Sequence, residues 1–345
     1  MRLGILKPFP YKSPDGYGLF GGVTTLFRHH LSKMFKDHGL QLRKLSRPES
    51  LEGCDALLIP VINKHTASKE CRDVVLAAID KNIPVSAILH GDQHEYNNSK
   101  TANCQKLHVM IDNFAYIGRD DVYPRSVLDG RRWINVIHPF YDMPEELWSA
   151  DLEGVSWESR RGFCSWTRIA TFKCSHMIPK MLPKGEKVHF FSKPDGAAYW
   201  YMKDRSKRGI RFEKPLKGYE DYNRLLPYKF AFDLSVPAEF EMGRSQFVPM
   251  EAMALGHVPI SFEGWNYGYE AIWLPDPAWT IERKRPKFHV NEKTCGEIVK
   301  DQTNTRYRRH HHRMVQSNHR FLRKFHDPKR VAYNWFKLIG LRIGG

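Results

Sequence analysis

Several features are scarce in this 345-residue chain, and each scarcity excludes something. No apolar run approaches the ~20 residues that a membrane-spanning helix needs, so no transmembrane segment is expected. The opening Met1-Arg2-Leu3-Gly4-Ile5-Leu6 runs directly into a strand-like pattern. It lacks the longer apolar region and the small-residue cleavage site of a secretory signal. The six cysteines (Cys54, Cys71, Cys104, Cys164, Cys174 and Cys295) are scattered with no CxxC pair. They read as reduced thiols of a cytoplasmic protein, with neither a zinc site nor a disulfide framework. There is no internal repeat and no low-complexity tract. Acidic residues are few: 38 Asp and Glu stand against 54 Lys and Arg, a formal charge of +16.

That excess of base points to contact with a polyanion or an anionic surface. The basic residues cluster at Arg125 to Arg132, Lys203 to Lys214, Arg283 to Lys287 and Arg306 to Arg330. Hydrophobic residues make up 41% of the chain, enough for two packed cores at this length. Nothing resembles an oligomerisation seam, and a monomer is expected.

Strand-like and helix-like segments alternate. Strands are expected at Leu3 to Leu6, Leu40 to Leu45, Asp55 to Val61, Pro84 to Leu89, Phe114 to Ile117 and Trp133 to His138. Helices are expected from Gly21 to about His38 and from about Ser68 to Lys81, where apolar residues recur at helical spacing. Residues 139–161, broken by Pro139 and Pro144, read as a connection. A second set follows: strands at Gly162 to Trp166, Lys187 to Phe191, Ile210 to Phe212, Phe230 to Leu234 and Val258 to Phe262. Helices are expected at Lys173 to Ile178, stopped by Pro179, and at Tyr219 to Leu226, Val248 to Leu255, Arg306 to Phe325 and Val331 to Ile339. The βαβα order with continuous apolar strands predicts an α/β protein with two doubly wound Rossmann-like domains facing across a cleft. The expected bounds are 1–150 for the first domain and 162–326 for the second, with the helix near 327–345 packing back on the first. Ligands of such sheets bind beyond the carboxyl ends of the strands.

Four local patterns carry chemistry. Gly21-Gly22-Val23-Thr24 stands at a helix start, where free amides favour an anion or a sugar oxygen; an ordinary helix entry fits it equally well. Arg168 and Lys173 follow a strand and flank the next helix, where two cations can neutralise a departing diphosphate; ordinary surface charge is the alternative for this pair. Phe247-Val248-Pro249-Met250-Glu251-Ala252-Met253-Ala254-Leu255-Gly256 sets free amides and one carboxylate in an apolar helix. Glu251 is expected to be partly buried without a partner, a costly state that argues for a ligand. His90-Gly91-Asp92-Gln93-His94 follows the fourth strand. There Asp92 could take a proton from an acceptor hydroxyl or stabilise positive charge on a sugar ring, and His90 or His94 could contact either substrate. A helix-capping Asp92 remains the alternative. His310-His311-His312 lies in a helical segment. Consecutive residues there point around the axis, so a three-His metal site is disfavoured and a solvated or phosphate-facing surface is expected.

The run Met250-Glu251-Ala252-Met253-Ala254-Leu255-Gly256-His257-Val258-Pro259-Ile260 resembles the E-A-M-A-x-G-x-P-V/I signature of the retaining GT-B glycosyltransferases. The resemblance implies that Glu251 binds the donor ribose, with Met250 and Ala252 beside it. It likens Gly21-Gly22-Val23 to the donor-side glycine loop and Arg168 with Lys173 to the diphosphate-binding pair. It implies a nucleotide-sugar donor, UDP-glucose or another UDP-sugar, and no metal cofactor. More narrowly, the chain is similar to the DNA α-glucosyltransferases of T-even bacteriophages, which act on hydroxymethylcytosine. The shared points are Gly22-Val23-Thr24, Cys54 to Ile59, His90 to His94 and Arg168 to Lys173. Many of these enzymes carry a further upstream Glu that contacts the sugar. Here Gly243 stands in its place, with Glu239 and Glu241 nearby, which leaves the sugar open.

The expected reaction is therefore glycosyl transfer with retention to a hydroxyl on a modified pyrimidine of double-stranded DNA, in the host cytoplasm of a phage. A peripheral glycosyltransferase of bacterial surface polysaccharide or lipid-linked glycan synthesis is the alternative. No amphipathic helix with an aromatic face near the N-terminus supports that alternative.

Overall fold

The computed structural model describes residues 1–6, 30–60, 67–89, 106–107, 109–111, 113–116, 132–135, 155–167, 169, 173–192, 209–236, 247–266, 268–282 and 285–341. The chain divides into two compact units. One is Met1–Asp142 with Glu239–Ser245 and Phe325–Gly345; the other is Met143–Ala238 with Gln246–Lys324.

The first unit is built on six parallel strands: β1 (Arg2–Leu6), β2 (Gln41–Leu45), β3 (Ala56–Ile59), β4 (Val85–Leu89), β5 (Asn113–Tyr116) and β6 (Arg132–Asn135). Their order across the sheet is β2-β1-β3-β4-β5-β6. All four residues of β3 are buried, as a strand covered on both faces requires. Gly4 in β1 has a packing reason, since a Cβ there would meet Leu45 Cδ1 at 2.5 Å. Helix α1 (Ser32–Asp37) presents Met34 and Phe35 inward. Helix α2 (Lys69–Asp80) is capped by Ser68, whose hydroxyl accepts from the Cys71 amide, and buries Cys71, Val74, Val75 and Ala78.

The second unit begins earlier than its strands. Residues 155–159 of the stretch read as a connection form helix α3 (Val155–Ser159), whose Trp157 is buried in this unit's core. Six parallel strands follow: β7 (Phe163–Ser165), β8 (Val188–Phe190), β9 (Ile210–Phe212), β10 (Phe230–Asp233), β11 (Val258–Phe262) and β12 (Ile272–Leu274). They are ordered β12-β11-β10-β7-β8-β9. In unit-relative numbers this is 6-5-4-1-2-3, the doubly wound order whose direction reverses between its first and fourth strands. Helix α4 (Ile178–Met181) contains Pro179 in its first turn, so proline opens this helix instead of stopping it. The missing amide falls where no intrahelical partner exists.

Helix α5 (Phe247–Ala254) precedes β11 in the chain. Four elements named here were not read from the sequence: β12, the strands β13 (Ala278–Glu282) and β14 (Arg285–His289) of an antiparallel hairpin, and helix α6 (Glu292–Gln302). The sequence expected Tyr219 to Leu226 to be helical, and Tyr219–Arg224 is a 3-10 helix. Helix α7 (Arg308–Phe325) closes this unit.

Helix α8 (Pro328–Leu338) belongs to the first unit. Its Trp335 and Phe336 pack edge-on to Phe35 at 6.3 and 6.0 Å between ring centres. Ser86 Oγ in β4 donates to Leu338 O at 3.0 Å. Burying Phe336 alone contributes on the order of 2–3 kcal/mol. Among the described residues no helix is long and apolar enough to cross a membrane.

Candidate functional site

The reversal point of the second sheet lies between β7 and β10, and the loops leaving these strands carry buried polar groups. Ser165, the last residue of β7, donates to Phe232 O of β10 at 3.0 Å and lies 3.0 Å from the Thr167 hydroxyl. Ser192, beyond β8, donates to Thr167 O. These bonds tie the strand ends together and fix where the following side chains start.

Asp233 ends β10 in an otherwise apolar strand and is 2% exposed. Its Oδ1 accepts from the Ser235 amide at 3.0 Å and from the Ser235 hydroxyl. The same hydroxyl accepts from Lys173 Nζ at 2.7 Å. A relay thus runs from the Lys173 ammonium through Ser235 to Asp233, crossing from the loop after β7 to the loop after β10. Asp233 Oδ2 is buried without a hydrogen-bond partner among the described residues. Trp265 donates to Ser235 O at 2.6 Å and pins the same turn.

Glu251 is the fifth residue of α5 and is buried. The sequence expected it to lack a partner; the structure supplies three. Trp166 Nε1 donates to Oε2 at 2.7 Å, Tyr219 Oη lies 3.5 Å from Oε1, and the Tyr222 hydroxyl also donates. Burial pushes the Glu251 carboxyl up to about 7, against these three hydrogen bonds and with help from the Asp233 charge. Tyr219 and Tyr222 meet edge to face at 4.9 Å, and Trp166 packs against Tyr222 at 6.2 Å. The carboxylate is therefore held by an aromatic cradle. A carboxylate has roughly four acceptor positions, so three donors leave about one for a ligand hydroxyl.

The far end of α5 is anchored as firmly. Gly256 takes a φ of +74°, the left-handed conformation common just past a helix end. Trp157 Nε1 donates to Gly256 O at 2.7 Å, Arg160 Nη1 to Leu255 O at 2.6 Å, and His319 Nε2 to Ala254 O at 3.1 Å. These donors satisfy carbonyls that the helix itself leaves open, and the Arg160 cation suits the negative end of the helix. His257 Nδ1 donates to Tyr228 O at 2.9 Å, and burial lowers this imidazole to about 3, so it is neutral.

Of the residues singled out from the sequence, Lys173, Met250, Glu251 and Ala252 fall among the described residues. Gly21, Gly22, Val23, His90, Asp92, His94 and Arg168 lie outside them. Met250 and Ala252 have buried side chains. Both lie within α5, flanking Glu251 in the chain. His311 is not on a solvated or phosphate-facing surface. It is buried, donates from Nε2 to Gln302 O at 2.6 Å and meets Phe230 edge-on. Among the described residues no group of three or more His, Cys, Asp or Glu is arranged to hold a metal ion.

Sequence reasoning missed Trp166, Tyr219, Tyr222, Asp233, Ser235 and Arg160. A signal for Asp233 was present, since an acid inside Phe-Ala-Phe-Asp-Leu cannot be buried without cost.

No protein-family model matches the chain, and no curated protein matches it. Solved structures do. HepE from Anabaena in complex with UDP matches with a TM-score of 0.66 at 10% identity, covering 99% of this chain and all of that one. The trehalose-6-phosphate synthase OtsA matches with a TM-score of 0.64 at 9% identity, over 99% of this chain and 100% of its own. The chain has the GT-B fold. A putative UDP-N-acetylglucosamine 2-epimerase from Listeria monocytogenes matches with a TM-score of 0.52 at 10% identity over 92% of this chain and 91% of that one. At such identities the likeness carries the fold and leaves the chemistry to the site.

Proposed function

We propose that this protein is a retaining glycosyltransferase that uses a nucleotide-sugar donor, a UDP-sugar, and transfers the sugar to a hydroxyl on a modified pyrimidine of DNA. The observation that carries the donor half is the coincidence, at one reversal point, of the Lys173–Ser235–Asp233 relay and the cradled Glu251 carboxylate. A nucleoside diphosphate offers the complementary set: ribose hydroxyls that donate to a carboxylate and phosphates that accept from a cation. The UDP in HepE and the resemblance of the Glu251 segment to the GT-B signature support the same reading.

In this reading the ribose hydroxyls donate to Glu251, and the diphosphate lies against Lys173 and the amino-terminal end of α5. Arg168, and the Gly21-Gly22-Val23 turn on the donor side, complete the set. The glycosidic bond breaks with oxocarbenium character. Charge then accumulates on the leaving diphosphate, and a cation already fixed by Ser235 meets it without having to reorganise. Asp92, with His90 and His94, receives the acceptor hydroxyl. The DNA half rests on the +16 charge, its clustering, and the resemblance to the phage enzymes. An enzyme of that kind reaches a base edge or takes the base out of the stack.

The test is donor-dependent labelling. The protein is incubated with a panel of sugar nucleotides and with duplex DNA containing cytosine, hydroxymethylcytosine or hydroxymethyluracil, and the DNA is digested for mass spectrometry. A sugar increment on one modified base, lost in Glu251→Ala, is the expected result. UDP release without DNA labelling removes the acceptor and keeps glycosyl transfer. Change of the donor sugar at C2, with neither UDP release nor transfer, replaces the reading with epimerisation.

A further inference from the structure

Helix α7 has two faces of opposite character, and the structure explains how each is held. Met314, Val315 and Leu322 are buried on its inner face. Two polar contacts fix its rotation. His311 donates to Gln302 O at 2.6 Å, and the buried Asn318 amide pairs with the Glu270 backbone, accepting from N and donating to O, each at 2.7 Å. The outer face is thereby determined. Arg309, Arg313, Arg320 and Arg323 are all exposed. At 100° per residue they fall, with Gln316, inside an arc of about 80°, over a length of about 21 Å.

The helix contains no acidic residue. Arg306 and Arg308, at and just before its start, are paired with Asp301 and Glu158. The four arginines beyond them have no ion-pair partner among the described residues. A surface tuned for solubility intersperses both signs. Like charges spaced four apart on a helix, as at Arg309 and Arg313, reduce its stability.

We propose that this arginine stripe of α7 is a docking surface for the sugar-phosphate backbone of duplex DNA. It deepens the DNA-acceptor reading and rests on it. Guanidinium forks match phosphate oxygens in a bidentate way that ammonium groups do not, and all four positions are arginine. The occupant is a phosphate backbone and not a bilayer. A helix that lies in a membrane turns its apolar face to lipid, and the apolar face of α7 is occupied by the protein core.

The test is a salt titration of binding to a fluorescent duplex, followed by anisotropy. One variant carries Arg309→Gln, Arg313→Gln, Arg320→Gln and Arg323→Gln, which preserves helix propensity. A charge-matched control carries Lys36→Gln, Lys69→Gln, Lys81→Gln and Lys106→Gln, all exposed and all in the first unit. The stripe variant is expected to lower the log–log salt slope by about 3 to 4 and the affinity at 0.1 M salt roughly tenfold or more. The control is expected to stay within roughly threefold, and donor-only UDP release to be unchanged in both. Equal effects of the two variants would overturn the proposal, as would an unchanged slope in the stripe variant. So would loss of binding to anionic phospholipid vesicles with DNA binding intact. If wild-type protein labels DNA while the stripe variant binds as before, only this surface falls. If wild type labels no DNA but the slope drops as stated, the surface stands and the acceptor reading falls.

Discussion

The two units share one architecture, six parallel strands with helices, yet they bury different chemistry. In the first, the described core is almost wholly apolar, and its buried polar groups are His30, Ser32, Ser86 and His326. The second buries Arg160, Lys229, Asp233, Glu251, His257, His311 and Asn318 among others. Removing ionisable groups from water is costly unless each is bonded or neutral. Among its described residues the first unit buries two histidines but no Asp, Glu, Lys or Arg. Of the second unit's buried groups, Asp233 and Glu251 stand at the carboxyl side of the strands with Lys173 and Ser235, whereas Arg160, Lys229, His257 and His311 stand at the amino ends of β7, β10 and β11 and around the carboxyl end of α5.

That contrast can be broken most sharply at Lys173 and Glu251. Lys173→Ala and Glu251→Ala are each expected to lower kcat/KM for donor turnover by about 10²–10³-fold, measured as UDP release, with the circular dichroism spectrum unchanged.

Acid should weaken the second unit next. Burial lowers His257 to about 3 and both His311 and His319 to about 4. The unfolded chain takes up protons near 6.5 that the folded unit refuses, so stability is full above 6.5 and falls as pH drops. His257 alone removes about 1.4 kcal/mol per pH unit below 6.5, and the other two act in the same direction. Glu251, raised to about 7, acts oppositely: its folded form holds a proton between 4.5 and 7 that the unfolded chain releases, favouring the folded state on the acid side. Three groups outweigh one, and hydrogen exchange should find the second unit opening more readily at pH 5 than at pH 7.

A smaller effect is expected at the anchor of α5. Arg160→Met removes a charged donor from Leu255 O and should cost about 1.5–3 kcal/mol in urea unfolding. Ser86→Ala in the first unit, which deletes one neutral bond to Leu338 O, should cost about 1 kcal/mol and leave UDP release untouched. An equal loss of activity in Ser86→Ala would erase the contrast between the units.

The fold was legible because its strands are apolar on both faces and its helices keep their period. Phe230 to Leu234 and Val258 to Phe262 were placed almost to the residue. β12 was missed because three residues, Ile272-Trp273-Leu274, are too short to carry a period. Helix α6 was missed because its apolar face is narrow, with only Cys295 and Val299 buried. Pro179 was misjudged because a proline that ends one helix and one that begins another look alike in sequence. At the site, Glu251 was visible as an acid in an apolar helix. Its cradle was not, because Trp166, Tyr219 and Tyr222 come from two other segments, and only the folded chain brings their donors to one carboxylate.

The most direct test of the central claim, that the second unit's reversal point holds a nucleoside diphosphate, is calorimetric titration of UDP into wild type, Lys173→Ala and Glu251→Ala. The account predicts saturable binding to wild type and a loss of roughly tenfold or more in each variant. Wild-type binding that both variants retain unchanged would contradict it, as would no binding of UDP at all.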